Sequence, residues 1–250
     1  MSASIGTLYG LSVGPGDPEL LTVKALRLLQ SAPVVAFPEG IQGRPGMAQR
    51  IVEPWLRADQ IQLCLHFPYV QSTQTLAEAW HRAAEQVWQY LTQGNDVAFA
   101  CEGDISFYST FTYLAETLQL RYPAAIVQRV PGVCSPLAAA AVQGQSLVRR
   151  DQRLAVLPAL YNVSELEQAL DWAEVVVLMK MSSVYPQIWR LLRDRNLLAS
   201  SYGIERATCA DQVVVENLCD RADWQPSYFS LLVIDTTRQY SGQDNASDVD

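Results

Sequence analysis

Apolar and polar positions along the chain switch between two periods, and the switches mark its elements. "TLYGLSV" reads as a strand. "LTVKALRLLQSA" then sets Ala25, Leu28, Leu29 and Ala32 on one helical face. "VVAFP" (Val34 to Pro38) is a short apolar strand closed by proline. "IQLCLHFP" alternates, with Ile61, Leu63, Leu65 and Phe67 on one side. The clearest helix, "TLAEAWHRAAEQVWQYLTQG", carries Leu76, Trp80, Ala83, Val87 and Leu91 on one stripe and stops at Gly94. "DVAFACEGD" is a buried strand running into a polar turn, followed by a helix around "FYSTFTYLAETL". "AIVQRV" is a further strand, leading to "PGVCSPLAAAAVQG". This β-α alternation predicts an α/β domain with a mostly parallel sheet, over residues 1–132.

A second α/β domain is expected over 133–240. "LAVLPA", "VVVLMK", "SYGIERAT", "DQVVVENL" and "YFSLLVID" read as strands, and "SELEQALDWA" and "VYPQIWRLLRDRNLL" as helices. No long helical segment separates the last two strands, which predicts a mixed sheet with a hairpin-like end. The last ten residues, 241–250, hold three acids, no bases and almost nothing to bury, and are expected to be a disordered tail.

Composition narrows the function classes. A chain of 250 residues with 49% apolar and 18% charged residues is long enough for a large core in one or two domains. It contains no apolar run of membrane-spanning length and no basic, hydrophobic leader, so no membrane partner is expected. Its five cysteines are scattered without a C-x-x-C pair, which points to free thiols in a reducing cytosol. With only two histidines, His66 and His81, no metal site is expected either. His66 ends a strand and His81 lies on an amphipathic helix, and neither is assigned a role. The net charge of −8 argues against a nucleic-acid partner; without the tail's three acids the balance is still 23 acidic against 18 basic residues.

Three segments just after strands carry unusual residues: "SVGPGDP", "CEGDISFYS" and "VPGVCSP". In a parallel α/β sheet, ligands bind beyond the carboxyl ends of strands, where such loops converge. Taken singly, each is an ordinary turn. Together they suggest a site where glycine lets a ligand approach the backbone and aspartate accepts hydrogen bonds. The P-loop pattern and the dinucleotide fingerprint are both absent, so the first of these loops is not a standard phosphate cradle.

The ordered set "GLSVGPGDPELLT", "EGDISFYST", "VPGVCS", "VVLMK" and "GIERAT" resembles the tetrapyrrole methylases over about Thr7 to Asp235. "GDPELLTVKALRLLQSA" with "EGDISFYST" is most similar to the members that methylate carbon 20 of precorrin-2. The resemblance implies a cytoplasmic homodimer of two-domain α/β subunits, with S-adenosylmethionine in the cleft between domains. By position it implies that Pro15 lies beside the cofactor and that Glu102, Gly103 and Asp104 form the central binding loop. It further implies apolar contact from Phe107, small residues Cys134 and Ser135 near the methionine part, and Met179 and Ala207 on the adenine side. Three positions depart from the pattern. Ser12 stands at the first motif glycine, Ile105 at the proline after the second loop's aspartate, and Cys134 at a serine or threonine.

Methyl transfer from a sulfonium to carbon needs alignment above all, and alignment can supply about 7–11 kcal/mol of barrier reduction. The carbon must then lose a proton, for which Asp17 and Glu102 are the candidate bases. Asp17 is equally readable as a helix cap ahead of Pro18. Precorrin-2 carries eight carboxylates, so arginines are expected around it. Arg149 and Arg150 are the candidates, with Arg153, Arg44 and Arg206 as others; a solvated face explains the 149–153 run equally well. The leading expectation is therefore a carbon-20 methyltransferase acting on precorrin-2 or its cobalt form. Another tetrapyrrole carbon, as in uroporphyrinogen III or precorrin-4, is the near alternative. A non-catalytic nucleotide-binding module is the alternative from a different class.

Overall fold

A computed structural model of the protein describes residues 4–40, 44–68, 70, 72–159 and 162–237. The tail expected over 241–250 lies outside the described residues. The chain divides into two compact units, Met1–Ser135 and Pro136–Asp250.

In the first unit, β1 (Thr7–Ser12), α1 (Val23–Ser31), β2 (Val34–Pro38), α2 (Met47–Val52), β3 (Ile61–Leu65), α3 (Thr73–Leu91), β4 (Val97–Cys101), α4 (Phe111–Arg121) and β5 (Ile126–Val130) follow in order. Polar caps fix where the helices begin. Thr22 accepts the Ala25 N–H at the start of α1, and Ser72 accepts the Thr75 N–H at the start of α3. Gly94, at φ +82°, ends the last turn after α3 in the conformation that glycine adopts without strain.

The sheet is parallel throughout, in the order β3-β2-β4-β1-β5. Its central strands β2 and β4 are buried on both sides, as parallel strands covered by helices are. Leu8, Val34, Ala36, Val97 and Phe99 face α3 and α4 and form one core with Ala83, Val87, Leu91, Leu114 and Leu118. The alternating Leu11, Val35 and Phe37 are equally buried, while α1 packs on β1 and α2 on β2 and β4. Gly10 has a steric reason to be glycine, because an added Cβ would lie 2.5 Å from the Phe111 ring.

Two expected stripes shift. Ile61 is 47% exposed, because β3 is an edge strand with only one neighbour, and only Leu65 of its alternating set is fully buried. On α3 the buried set is Ala79, Ala83, Ala84, Val87 and Leu91, with Leu76 and Trp80 half-buried. Trp80 instead stacks flat on Tyr113 of α4, centroids 4.5 Å apart.

The second unit holds all of α5 (Ser135–Val142) but its first residue, followed by β6 (Leu154–Leu157), α6 (Ser164–Leu170), β7 (Val175–Met179), α7 (Tyr185–Asp194), β8 (Ser201–Glu205), β9 (Val213–Val215) and β10 (Ser230–Asp235). Its sheet is mixed, in the order β6-β7-β10-β8-β9. The hairpin joins β8 to β9, whereas β10 inserts between β7 and β8, antiparallel to both. Val176, Leu178, Leu232 and Ile234 pack against Leu166, Ile188 and Leu192 from α6 and α7. Val175, Val177, Leu231 and Val233 pack on the opposite side with Ala139 and Ala140 of α5.

Candidate functional site at the carboxyl ends of the strands

The three glycine-containing loops emerge side by side, because β4, β1 and β5 are neighbours in one parallel sheet. From β1 the chain moves to β2, beyond β4; from β4 it moves to β5, beyond β1. The two connections leave in opposite directions, which makes the β1/β4 boundary a topological switch point, where such sheets open a crevice.

Hydrogen bonds lock the loops to one another. Past the end of β1, the Val13 N–H donates to Cys101 O at 2.9 Å. Gly14 and Gly103 then form an isolated antiparallel bridge, with N···O distances of 3.3 and 2.8 Å. Both glycines need the left-handed region, at φ +80° and +69°. The Asp104 carboxylate reaches the third loop by accepting the Gly132 N–H at 2.7 Å, and it also accepts the Ser106 N–H at 2.8 Å.

Ser12, the last residue of β1, is wholly buried on the same face as Leu8 and Gly10. Its hydroxyl donates to Val130 O at 2.8 Å and accepts the Ile105 N–H at 2.7 Å. It also lies 3.4 Å from Asp104 Oδ2. At the rear of the second loop, Cys101 Sγ is 3.0 Å from Ser109 Oγ. Burial, above all, pushes that thiol up to about 12, so it stays protonated and inert at neutral pH.

The remaining sequence candidates divide by location. Pro15 is half-buried in the first loop. Asp17 is an N-cap: its carboxylate accepts the Glu19 N–H at 2.8 Å and opens a 3-10 turn over Pro18–Leu20. Glu102 is exposed beside Gly103. Phe107 is half-buried and meets the Tyr108 ring edge-on at 4.7 Å; Tyr108 at φ +53° keeps "FYST" out of α4, which begins only at Phe111. Cys134 is half-buried, and Ser135 is the first residue of α5.

In the second unit, Met179 ends β7 and Ala207 follows β8. The pairings Met179–Leu231 and Glu205–Ser230 bring them to the same end of that sheet. Arg206 and Thr208, at φ +47° and +68°, bend the backbone around Ala207. Arg206 is committed to ion pairs with Asp211 at 2.9 Å and Glu205 at 3.7 Å. Arg149 and Arg150 lie in an exposed turn before β6, at the opposite end of the sheet from Met179 and Ala207. Arg153 there is held by Glu174 at 2.7 Å. All three arginines are exposed.

Sequence reasoning missed the joining role of Ser12. A lone hydroxyl at the end of a buried strand was its only signal. It also gave no role to His66, whose Nδ1 lies 2.8 Å from Glu39 Oε2 just beyond the carboxyl ends of β3 and β2.

The loops suit a particular kind of ligand. They carry three carboxylates (Asp17, Glu102, Asp104) and no lysine or arginine. A Cβ built at Gly103 would meet nothing within 4 Å, so open space lies beside a glycine whose backbone is otherwise fixed. A cation fits such a lining, and a phosphate does not. Among the described residues, no group of three or more His, Cys, Asp or Glu side chains is placed to hold a metal ion. No helix among them is long and apolar enough to cross a membrane.

Fold and loops together define a class: a two-unit α/β protein with a glycine-lined candidate site at a switch point of its parallel sheet. Residues 7–223 match the family of Tetrapyrrole (Corrin/Porphyrin) Methylases, and the chain belongs to it. Over 92% of its length it is 36% identical to the cobalamin biosynthesis protein CobIJ of Mycobacterium tuberculosis, covering 46% of that protein. The chain thus spans about half the length of this curated relative. It is 33% identical to the precorrin-2 C(20)-methyltransferase of a Sinorhizobium species, over 92% of this chain and 95% of that one. In fold it is similar to the uroporphyrin-III C-methyl transferase of Thermus thermophilus complexed with S-adenyl homocysteine. That match has a TM-score of 0.63 at 22% identity and covers 92% of this chain and 97% of that one.

Proposed function

We propose that the protein is an S-adenosylmethionine-dependent methyltransferase that methylates carbon 20 of precorrin-2 or of its cobalt form. The observation that carries this reading is the loop cluster at the β1/β4 switch point. It is rich in carboxylates, contains no lysine or arginine, and opens beside Gly103. The Sinorhizobium relative, matched nearly end to end, supports the choice of ring carbon.

S-adenosylmethionine brings an electrophilic methyl on a sulfonium, so the protein's part is to hold and align. Pro15, Gly103 and Asp104 with its neighbour Glu102 line the proposed contact. Phe107 supplies apolar surface, and Cys134 and Ser135 supply small side chains. Met179 and Ala207, which share one end of the second sheet, are the residues proposed for the adenine side. The reciprocal Gly14–Gly103 hydrogen bonds fix the first loop to the second, and such preorganised alignment is what a displacement at carbon requires. When the ring carbon gains its methyl it must release a proton. Glu102, exposed at the loop, is the proposed acceptor, since Asp17 already serves as a cap. The proposal includes a homodimer in the cytosol. The odd number of cysteines and their scattered spacing support a reducing compartment.

Incubation with S-adenosylmethionine and precorrin-2, read by product mass and NMR, tests the reading. One new methyl at carbon 20 supports it. A methyl on another carbon reassigns the substrate position, and no methylation with no S-adenosylhomocysteine binding removes the reading.

A further inference from the structure

Two of the three departures from the family's loop pattern are one hydrogen-bonded pair. Ile105 is 1% exposed and packs in the core with Phe111 and Leu114. Its backbone N–H is buried with it, and a buried donor without an acceptor costs far more than an average hydrogen bond contributes. The acceptor is Ser12 Oγ, 2.7 Å away and 93 residues earlier in the chain. A proline after Asp104 would have no N–H to satisfy, and a glycine at position 12 would have no hydroxyl to offer. Each departure therefore creates the need that the other meets.

The serine does more than satisfy one donor. Its proton goes to Val130 O, the last carbonyl of β5, so a single buried oxygen ties the end of β1 to the loops on both sides. Close packing fixes it further, since a Cβ built on Gly132 would lie 2.5 Å from Ser12 Cβ. Gly132 is also the residue whose N–H is held by Asp104. Ser12, Ile105, Asp104 and Gly132 thus form one closed set spanning the three loops.

We infer that Ser12 is the positioning residue of the loop cluster and that it acts as a coupled pair with Ile105. Its hydroxyl sets the spacing of the second and third loops in place of a glycine–proline pair. The consequence for ligand binding rests on the function proposed above; the coupling of the loops does not.

The test has two readouts on the full chain. The first, hydrogen exchange of the Ile105, Gly103 and Gly132 amides, is measured without ligand. The second is S-adenosylhomocysteine affinity by calorimetry. Ser12→Ala is expected to speed exchange at Ile105 and Gly132 together and to weaken affinity about tenfold, the scale of a buried donor left unpaired. Leu118→Ala, which opens the core under α4 away from the loops, serves as a control and is expected to keep wild-type affinity below its melting transition. Ser12→Gly is expected to weaken binding, and Ser12→Gly with Ile105→Pro to recover it to within about threefold of wild type, a coupling of the size seen between contacting residues. If Ile105→Pro prevents folding, Ser12→Ala against Leu118→Ala decides alone. Unchanged exchange at Ile105 and Gly132 in Ser12→Ala overturns the inference. So does an affinity loss no larger than that of Leu118→Ala. Wild-type protein that binds no S-adenosylhomocysteine removes the proposed function instead, and the exchange measurement still decides the role of Ser12.

Discussion

The carboxylate of Asp104 accepts the backbone N–H of Gly132 at 2.7 Å, across 28 residues of sequence. That bond joins the loop after β4 to the loop after β5, while the glycine bridge and Ser12 join the first loop to the second. Asp104 therefore contributes to the site through loop geometry as well as through its charge. Asp104→Ala is expected to weaken S-adenosylhomocysteine binding about tenfold or more, because the Gly132 and Ser106 amides lose their acceptor. Asp104→Asn retains an acceptor oxygen and is expected to lose less. Calorimetric titration of the two variants checks the order, and equal affinities would remove the geometric role.

Phe111 leaves no room for a side chain at Gly10, where an added Cβ would lie 2.5 Å from its ring. Gly10→Ala is expected to destabilise the protein by about 1–3 kcal/mol, the usual cost of forcing an extra carbon into a packed core. Phe111→Leu in the same chain should recover part of that loss, making the pair non-additive. Urea midpoints of the single and double variants measure this. Strict additivity would show that the ring does not sit over Gly10.

Acid stability offers a test in the second unit. Hydrogen bonds from the Arg153 guanidinium, and then from its backbone N–H, lower Glu174 to about 2. A carboxylate lowered on folding adds stability above its unfolded value and loses it as pH falls through its folded value. The contribution should therefore be complete above the ordinary glutamate range and fade down to about pH 2. Glu174→Gln is expected to flatten the pH dependence of the denaturation midpoint across that window, and added salt to shrink the wild-type difference. An unchanged profile would mean that the pair contributes nothing.

Thiol reactivity should follow exposure. Cys64 and Cys219 are exposed, whereas Cys101 is buried beside Ser109 with its thiol raised to about 12. Alkylation of the native protein near pH 8 is expected to modify Cys64 and Cys219 within minutes and to spare Cys101 until the protein is denatured. Peptide mass mapping reads the order, and early labelling of Cys101 would show that the rear of the second loop opens.

The hydrophobic pattern revealed the first unit well because its central strands are buried on both faces and its helices on one. "VVAFP" and "VAFAC" have no other stable placement. The pattern erred where burial is one-sided, at Ile61 on the edge strand, and where backbone conformation overrides composition, at Tyr108. The six-residue α2 is too short to show a period of its own. The position of β10 in the second sheet was not legible, since pairing order is fixed by tertiary packing and leaves no local mark. The three loops were legible from their glycines and acids, but their connections were not. A hydrogen bond between residues 93 positions apart, as between Ser12 and Ile105, has no signature in a single sequence.

The late insertion of β10 gives the two units different histories during synthesis. All five strands of the first sheet have been synthesised once Val130 is made, so that sheet can close after they emerge while the rest is still being translated. The second sheet cannot, because β7 and β8 have no partner between them until Ser230–Asp235 arrives. Until then Val177, Ile204 and their neighbours present bare strand edges. A nascent chain stalled before Ser230 should accordingly carry a finished first unit and a sticky, protease-sensitive second one.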